Sequence, residues 1–212
     1  MTTLAANQKV EEPIWLPDLT KILTALASLV VGTYGFVRWW IPRHEARKEA
    51  KRTAGGLKSL GVCYEVMEHI VHHEASICDR AIILAGHNDG GYPTAASPYY
   101  VSALHWVTKT AETHRKINDY KNLRVDNAYC AMLSNVMKND FVVLNTETMP
   151  DGLLREIYRA EGVSHCVICH LGIQDRKLLY LSCARLIDKP FSNVDVHDIR
   201  MAALKIKNEI GI

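Results

Sequence analysis

The sequence predicts an α+β fold, with an antiparallel central sheet and helices on its faces, behind one N-terminal transmembrane helix. Three observations lead to this class. An uncharged apolar run occupies residues 22–37. The residues after it alternate between helical periodicity and short runs rich in β-branched side chains. Two of these runs are separated only by a polar turn, which requires antiparallel pairing.

The first predicted element is a membrane-spanning helix over residues 19–42. As a helix, residues 22–41 would extend about 30 Å, which matches the hydrocarbon thickness of a bilayer. A buried core helix and a signal peptide are the alternatives, but a signal peptide carries its basic residues before the apolar run. Aromatic and basic side chains at the ends of the span are typical of a membrane interface. We assign this interface to Trp15, Arg38, Trp39, Trp40 and Arg43.

Positive charge is concentrated after the span, where residues 43–58 contain six lysines and arginines. The positive-inside rule therefore predicts a single-pass protein of the inner cell membrane, with the N-terminus outside and the C-terminal domain in the cytoplasm. Residues 1–18 form a predicted N-terminal tail. Residues 43–56 form a predicted charged connector, helical at first and broken near Gly55 and Gly56. This connector either contacts anionic lipid headgroups or is a solvated linker.

The remaining residues, 57–212, are predicted to form one folded domain with the element order α-β-β-α-β-α-β-β-α. Periodicity and capping signals predict helices at 57–74, 127–137, 150–162 and from Ser192 onward. Apolar, β-branched runs predict strands at 78–84, 99–107, 141–146, 163–172 and 178–186. Loops are expected over 86–98, and a short helix with a loop over 108–124.

The C-terminal part of this domain carries a recurrent pattern. A helix ending at Gly162 precedes the apolar strand SHCVICHLGI, a tight polar turn and the strand LLYLSCARL. Phe191 and Ser192 then lead to Asp195 and an amphipathic helix. This order of strand, polar turn, strand, F-S-x-x-D and helix resembles the C-terminal half of a GAF domain. The predicted helix and strands of residues 57–107 fit the first half of that family less sharply.

The resemblance implies a sensory or protein-interaction module without a catalytic output of its own. GAF domains resemble PAS domains, often bind a small molecule between the sheet and the helices above it, and dimerise through flanking helices. It therefore implies a homodimer, an unidentified protein partner and a ligand of unknown identity. The cyclic-nucleotide and bilin ligands of other GAF domains are not expected here. Residues 138–141 have some letters of the cyclic-nucleotide motif but in the wrong order, and residues 146–152 contain no cysteine to attach a bilin. The net charge of +2 does not favour a nucleic-acid partner.

Polar residues and glycines that follow the first predicted strand favour a ligand-site rim, with a plain turn as the alternative. The residues assigned to this rim are His87, Asn88, Asp89 and Tyr99.

The segment from Cys166 to His170 matches C-x-x-C-H, the attachment motif of c-type haem, and the same cysteines with a histidine could bind zinc. Strand geometry argues against both sites, because residues three apart point to opposite faces. We therefore predict that Cys166 and Cys169 are packing residues, and that all six cysteines are buried free thiols. Two alternative functions stay open, which are an extracytoplasmic c-type haem redox protein and a small membrane effector such as a phage lysis regulator.

Overall fold

The computed structural model describes residues 16–72, 76–88, 93–94, 97–111, 117 and 120–211. Trp15 and Asp89 lie outside these residues. The chain divides into two compact units, Met1–Gly55 and Gly56–Ile212.

The described elements are four helices and six strands. The helices are α1 (Leu16–His72), α2 (Asn127–Asn139), α3 (Leu153–Glu161) and α4 (Asn193–Glu209). The strands are β1 (Arg80–His87), β2 (Tyr100–Thr108), β3 (Leu123–Arg124), β4 (Phe141–Asn145), β5 (His165–Gln174) and β6 (Lys177–Arg185).

The first unit consists of the N-terminal part of α1, which by length and composition could cross a membrane. Its apolar stretch contains three serine and threonine side chains, whose hydroxyls water would not reach in a bilayer. Thr24, Ser28 and Thr33 each donate to the carbonyl oxygen one turn earlier, at 2.8 Å. These bonds satisfy the hydroxyl donors within the helix, as a lipid environment requires.

The predicted break at Gly55 and Gly56 is wrong, because α1 continues through both glycines. A glycine disfavours a helix interior by about 1 kcal/mol relative to alanine. The flanking residues, which include Lys51, Arg52 and Leu57, are strong helix formers and extend the helix across this weak point.

The second unit contains an antiparallel six-stranded sheet of order β3-β2-β1-β6-β5-β4. This confirms the predicted fold class. β5 and β6 form the predicted hairpin, whose turn residues Asp175 and Arg176 have φ angles of 49° and 63°. Gly162 ends α3 with a φ angle of 75°, in the left-handed region that glycine adopts without steric cost.

Two details of the sheet differ from prediction. β1 extends to His87 and therefore includes Gly86, which the sequence placed in a loop. Gly86 belongs to the strand through its pairing with Val101 and Leu178. The Tyr99 side chain lies over it, and a Cβ there would be 2.6 Å from the Tyr99 hydroxyl. The short strand β3 lies within residues 108–124, where a helix and a loop were expected, and it pairs with the start of β2.

Apolar side chains pack against both faces of the sheet. On the first face, the C-terminal part of α1 contributes Met67 and Ile70, and α4 contributes Ile199 and Ile206. On the second face, α2 and α3 cover the sheet through side chains that include Tyr129, Leu133, Val136, Leu154 and Tyr158.

Candidate functional site

A cavity of about 500 Å³ lies on the second face, beside α2. We call it the Tyr99 cavity. Its wall combines polar and apolar side chains, which is the usual character of a small-molecule site. The lining includes Ser97, Tyr99, Arg124, Asp126, Cys130, Leu133, Ser134, Met137 and Leu178.

Asp126 fixes the helices that border this cavity. Its Oδ1 accepts from the backbone N–H of Tyr129 at 2.8 Å and so caps α2. Its Oδ2 accepts from the backbone N–H of Leu153 at 2.7 Å, at the start of α3. One carboxylate therefore ties together two helix N-termini, where backbone donors and the helix dipole favour negative charge.

Tyr99 and Cys130 contribute two protonated groups to the wall at neutral pH. Burial, and then the proximity of Cys130, raise the pKa of Tyr99. Partial desolvation by the surrounding protein atoms, and then Asp126, raise the pKa of Cys130. The prediction that every cysteine is buried is wrong for Cys130, which is exposed on α2. A raised pKa makes this thiol a poor nucleophile, so its role in the wall is that of a weakly polar contact.

Of the two other described residues assigned to the rim, only Asn88 contacts a residue that lines the Tyr99 cavity. The side-chain amide of Asn88 donates to the hydroxyl of Ser97, a lining residue, at 3.2 Å. His87 instead lies against β2, with Nε2 3.0 Å from Oγ of Ser102 and its ring stacked on Tyr100.

The centre of the second face is occupied by a buried polar network that the sequence did not predict. Arg80 is 1% exposed, and its Nη1 lies 2.7 Å from Oε2 of Glu161. Tyr120 donates to the same carboxylate oxygen at 2.9 Å. The guanidinium also lies over the ring of Tyr158, 5.9 Å from its centroid. Burial alone would lower the pKa of Arg80, but Tyr120 and Glu161 outweigh it, so the pKa is raised.

Further hydroxyl and thiol groups extend this network across the sheet. Tyr158 donates to Sγ of Cys166 at 3.2 Å, and Sγ lies 3.2 Å from the hydroxyl of Ser182. The hydroxyls of Tyr129 and Tyr180 share a hydrogen bond of 3.0 Å. These side chains fill the space between the sheet and its helices.

Comparison with solved structures identifies the fold, whereas no protein-family model and no curated protein sequence matches the chain. The GAF domain region of a predicted membrane protein from Geobacter sulfurreducens aligns with a TM-score of 0.53 at 12% identity, covering 76% of this chain and 97% of that one. The fold is GAF-like. The photoproduct state of GAF3 from Slr1393 of Synechocystis sp. PCC6803 aligns with a TM-score of 0.51 at 10% identity, covering 72% and 92%.

The C-x-x-C-H segment lies in β5 of this GAF-like sheet, and its two thiols belong to different cores. Cys166 packs on the second face and Cys169 on the first. Burial raises the pKa of Cys169 to about 12, so its thiol stays protonated at neutral pH. Within the part of the chain that the structure describes, no three His, Cys, Asp or Glu side chains are grouped to hold a metal ion. This geometry favours packing over haem or zinc binding.

Replacing Cys166 and Cys169 together by alanine is expected to lower the free energy of unfolding by at most about 3 kcal/mol, because only small side-chain volumes are lost. Metal analysis of the purified protein should find well under one equivalent of zinc or iron before and after the change. Cys130→Ala, at an exposed position, is the control and should leave stability unchanged. A stoichiometric metal that disappears in the double variant would contradict the packing role.

Proposed function

We propose that this protein is a membrane-anchored sensory module that binds a small molecule in the Tyr99 cavity. The observation that carries the proposal is the position of this cavity in a GAF-like domain. It has a volume of about 500 Å³, a mixed polar and apolar wall, and a border formed by the start of α2. A volume of this size is within the range of small-molecule sites, and Arg124 and Asn127 offer polar groups that could orient a ligand.

The route from the ligand to the rest of the chain is part of the proposal. α1 is a continuous helix whose C-terminal residues, including Cys63 and Val71, pack on the first face of the sheet. We propose that a ligand in the Tyr99 cavity, on the second face, changes this first-face packing through the sheet that lies between them, and that α1 carries the change. We propose no catalytic step for the module, and an output through a protein partner or a second copy of the chain.

Native mass spectrometry of the full chain, purified in a neutral detergent, tests ligand binding. We expect a bound small molecule that survives purification and is lost in Ser134→Trp, because the indole would project into the cavity from α2. Lys138→Trp is the matched control, since Lys138 is exposed on the same helix and does not line the Tyr99 cavity. An unliganded wild-type protein, or a ligand retained equally by both variants, would contradict the proposal.

Membrane anchoring with a cytoplasmic C-terminal domain is the second part of the proposal. It is supported by the apolar composition of α1 and by the basic residues that follow its apolar stretch. In the same region, the guanidinium of Arg43 lies 4.2 Å from the ring centroid of Trp39, a pairing suited to a membrane interface. The GAF domain region from Geobacter sulfurreducens likewise belongs to a predicted membrane protein.

A C-terminal reporter that functions only in the cytoplasm is expected to be active on the full chain. Changing the five basic residues of the connector to glutamine should weaken the orientation preference, since charge next to the span sets topology. These residues are Arg43, Arg47, Lys48, Lys51 and Arg52. Activity only from a reporter that requires export would show that the proposed orientation is reversed.

A further inference from the structure

A second cavity, of about 320 Å³, lies between α4 and β5 and is separate from the Tyr99 cavity. Four basic side chains line it, which are His170, His197, Arg200 and Lys207. The three on α4 are spaced three and seven residues apart, so they follow one side of that helix. Apolar side chains, among them Met201, complete the wall.

Among the described residues, no ion pair joins Arg200, Lys207 or His197 to a carboxylate. Arg200 instead contacts an aromatic ring, since its guanidinium lies 4.4 Å from the centroid of the Phe141 ring. This cation–π contact uses the face of the guanidinium and leaves the N–H donors at its edge available.

His170 adds an unsatisfied polar atom to the same cavity. Its backbone N–H donates to the carbonyl oxygen of Asp140 at 2.8 Å, one residue beyond the last β4–β5 pair. Its Nε2 is buried and has no hydrogen-bond partner among the described residues. A buried, unpaired nitrogen is unfavourable, and an oxyanion in the cavity would remove that cost.

We propose that this cavity binds a phosphate group, carried either by a small soluble ester or by a phospholipid headgroup. Two fixed cations and two imidazoles offer several donors to one group, and the three terminal oxygens of a phosphate monoester can accept more of them than the two of a carboxylate. The apolar part of the wall suits the carbon skeleton of an ester. The site is independent of the proposed ligand site at Tyr99, so either can fail without the other.

Protonation of His170 should tune the affinity of this site for anions. The lining contains two fixed positive charges, on Arg200 and Lys207, and one negative charge, on Asp140. One positive charge is therefore in excess. Burial, and then Lys207, lower the pKa of His170, while Asp140 opposes them. His170 is therefore neutral at pH 7 in the empty site, and a bound anion would raise its pKa. Sulfate affinity should accordingly increase as the pH falls from 8 to 5.5, a range over which sulfate remains a dianion.

Isothermal titration calorimetry of the full chain in a neutral detergent, with glycerol 3-phosphate as the titrant, tests whether this cavity binds phosphate. We expect saturable binding that weakens at least about tenfold in Arg200→Gln/Lys207→Gln, because two charge-assisted contacts are lost. Lys177→Gln/Lys205→Gln also removes two positive charges, from exposed positions outside this cavity, and should bind as the wild type does. Equal affinity in the wild type and both double variants, or equal losses in both variants, would overturn the proposal.

The source of the phosphate is distinguished by repeating the titration in nanodiscs. If the natural occupant is the headgroup of an anionic phospholipid, glycerol 3-phosphate should bind in discs of zwitterionic phosphatidylcholine and be displaced when anionic phosphatidylglycerol is included. Equal binding in both kinds of disc would assign the site to a soluble ester. Absence of saturable binding of glycerol 3-phosphate and of sulfate in every condition would reject a phosphate site.

Discussion

Leu181→Asp is expected to abolish the cooperative folding of the second unit. Leu181 is 0% exposed in the middle of β6, where it lies opposite Ile83 of β1 and Cys169 of β5. The substitution removes a core side chain and places an unpaired carboxylate in the first-face core. Loss of the side chain alone costs about 2–5 kcal/mol, and burial of a charge adds several more, which together approach the whole stability of a typical domain.

Urea unfolding of the full chain in detergent, followed by near-ultraviolet circular dichroism, measures this effect. Val143→Asp is the matched control, because Val143 lies on the edge strand β4 and is 49% exposed. The control should retain a cooperative transition close to that of the wild type. A cooperative transition of unchanged midpoint in Leu181→Asp would contradict the placement of β6 at the centre of the sheet.

Glu161→Ala should destabilise the second unit by about 3–5 kcal/mol, the usual cost of removing one partner from a buried ion pair. The reason is the environment of Arg80, which is 1% exposed and has Glu161 as its ion-pair partner. Without that carboxylate, the guanidinium stays buried, and the Tyr120 hydroxyl, at 3.5 Å, is its one remaining hydrogen-bond partner among the described residues. The same unfolding assay measures the loss.

Two further variants separate this effect from a general loss of helix stability. Glu156→Ala changes an exposed glutamate of the same helix and should alter the free energy of unfolding by less than about 0.5 kcal/mol. Arg80→Met/Glu161→Leu removes both charges and should recover most of the stability, because neither charge is left unpaired. If Glu161→Ala is no more destabilising than Glu156→Ala, the ion pair does not stabilise the second face.

Local signals explain why much of the fold was predictable. The β5–β6 hairpin follows from two apolar runs joined by a polar turn. The start of α4 follows from Ser192 and Asp195, whose side chains accept each other's backbone N–H at 2.7 and 3.2 Å. Each signal lies within a few residues of the element that it specifies, so one sequence is sufficient to identify it.

The candidate sites depend on contacts that no local pattern encodes. Arg80 is 40 residues from Tyr120, and Tyr120 is 41 residues from Glu161. The one available signal was Arg80 itself, a charge at the start of an otherwise apolar run. β3 was missed for a similar reason, since its two residues form a strand only through pairing with Tyr100 and Val101 of β2. The predicted break in α1 shows the opposite error, in which two glycines were given more weight than the helix formers around them.

Hydrogen exchange of the full chain in lipid nanodiscs, resolved by peptide, tests the membrane-anchored account most directly. If α1 crosses the bilayer, residues 22–37 should exchange far more slowly than residues 43–55, although both segments belong to α1 and all of their side chains are exposed in the structure. Lipid would exclude water from the first segment, whereas the second would remain solvated. Equally fast exchange in both segments would show that residues 22–37 do not cross the bilayer, and would contradict the account.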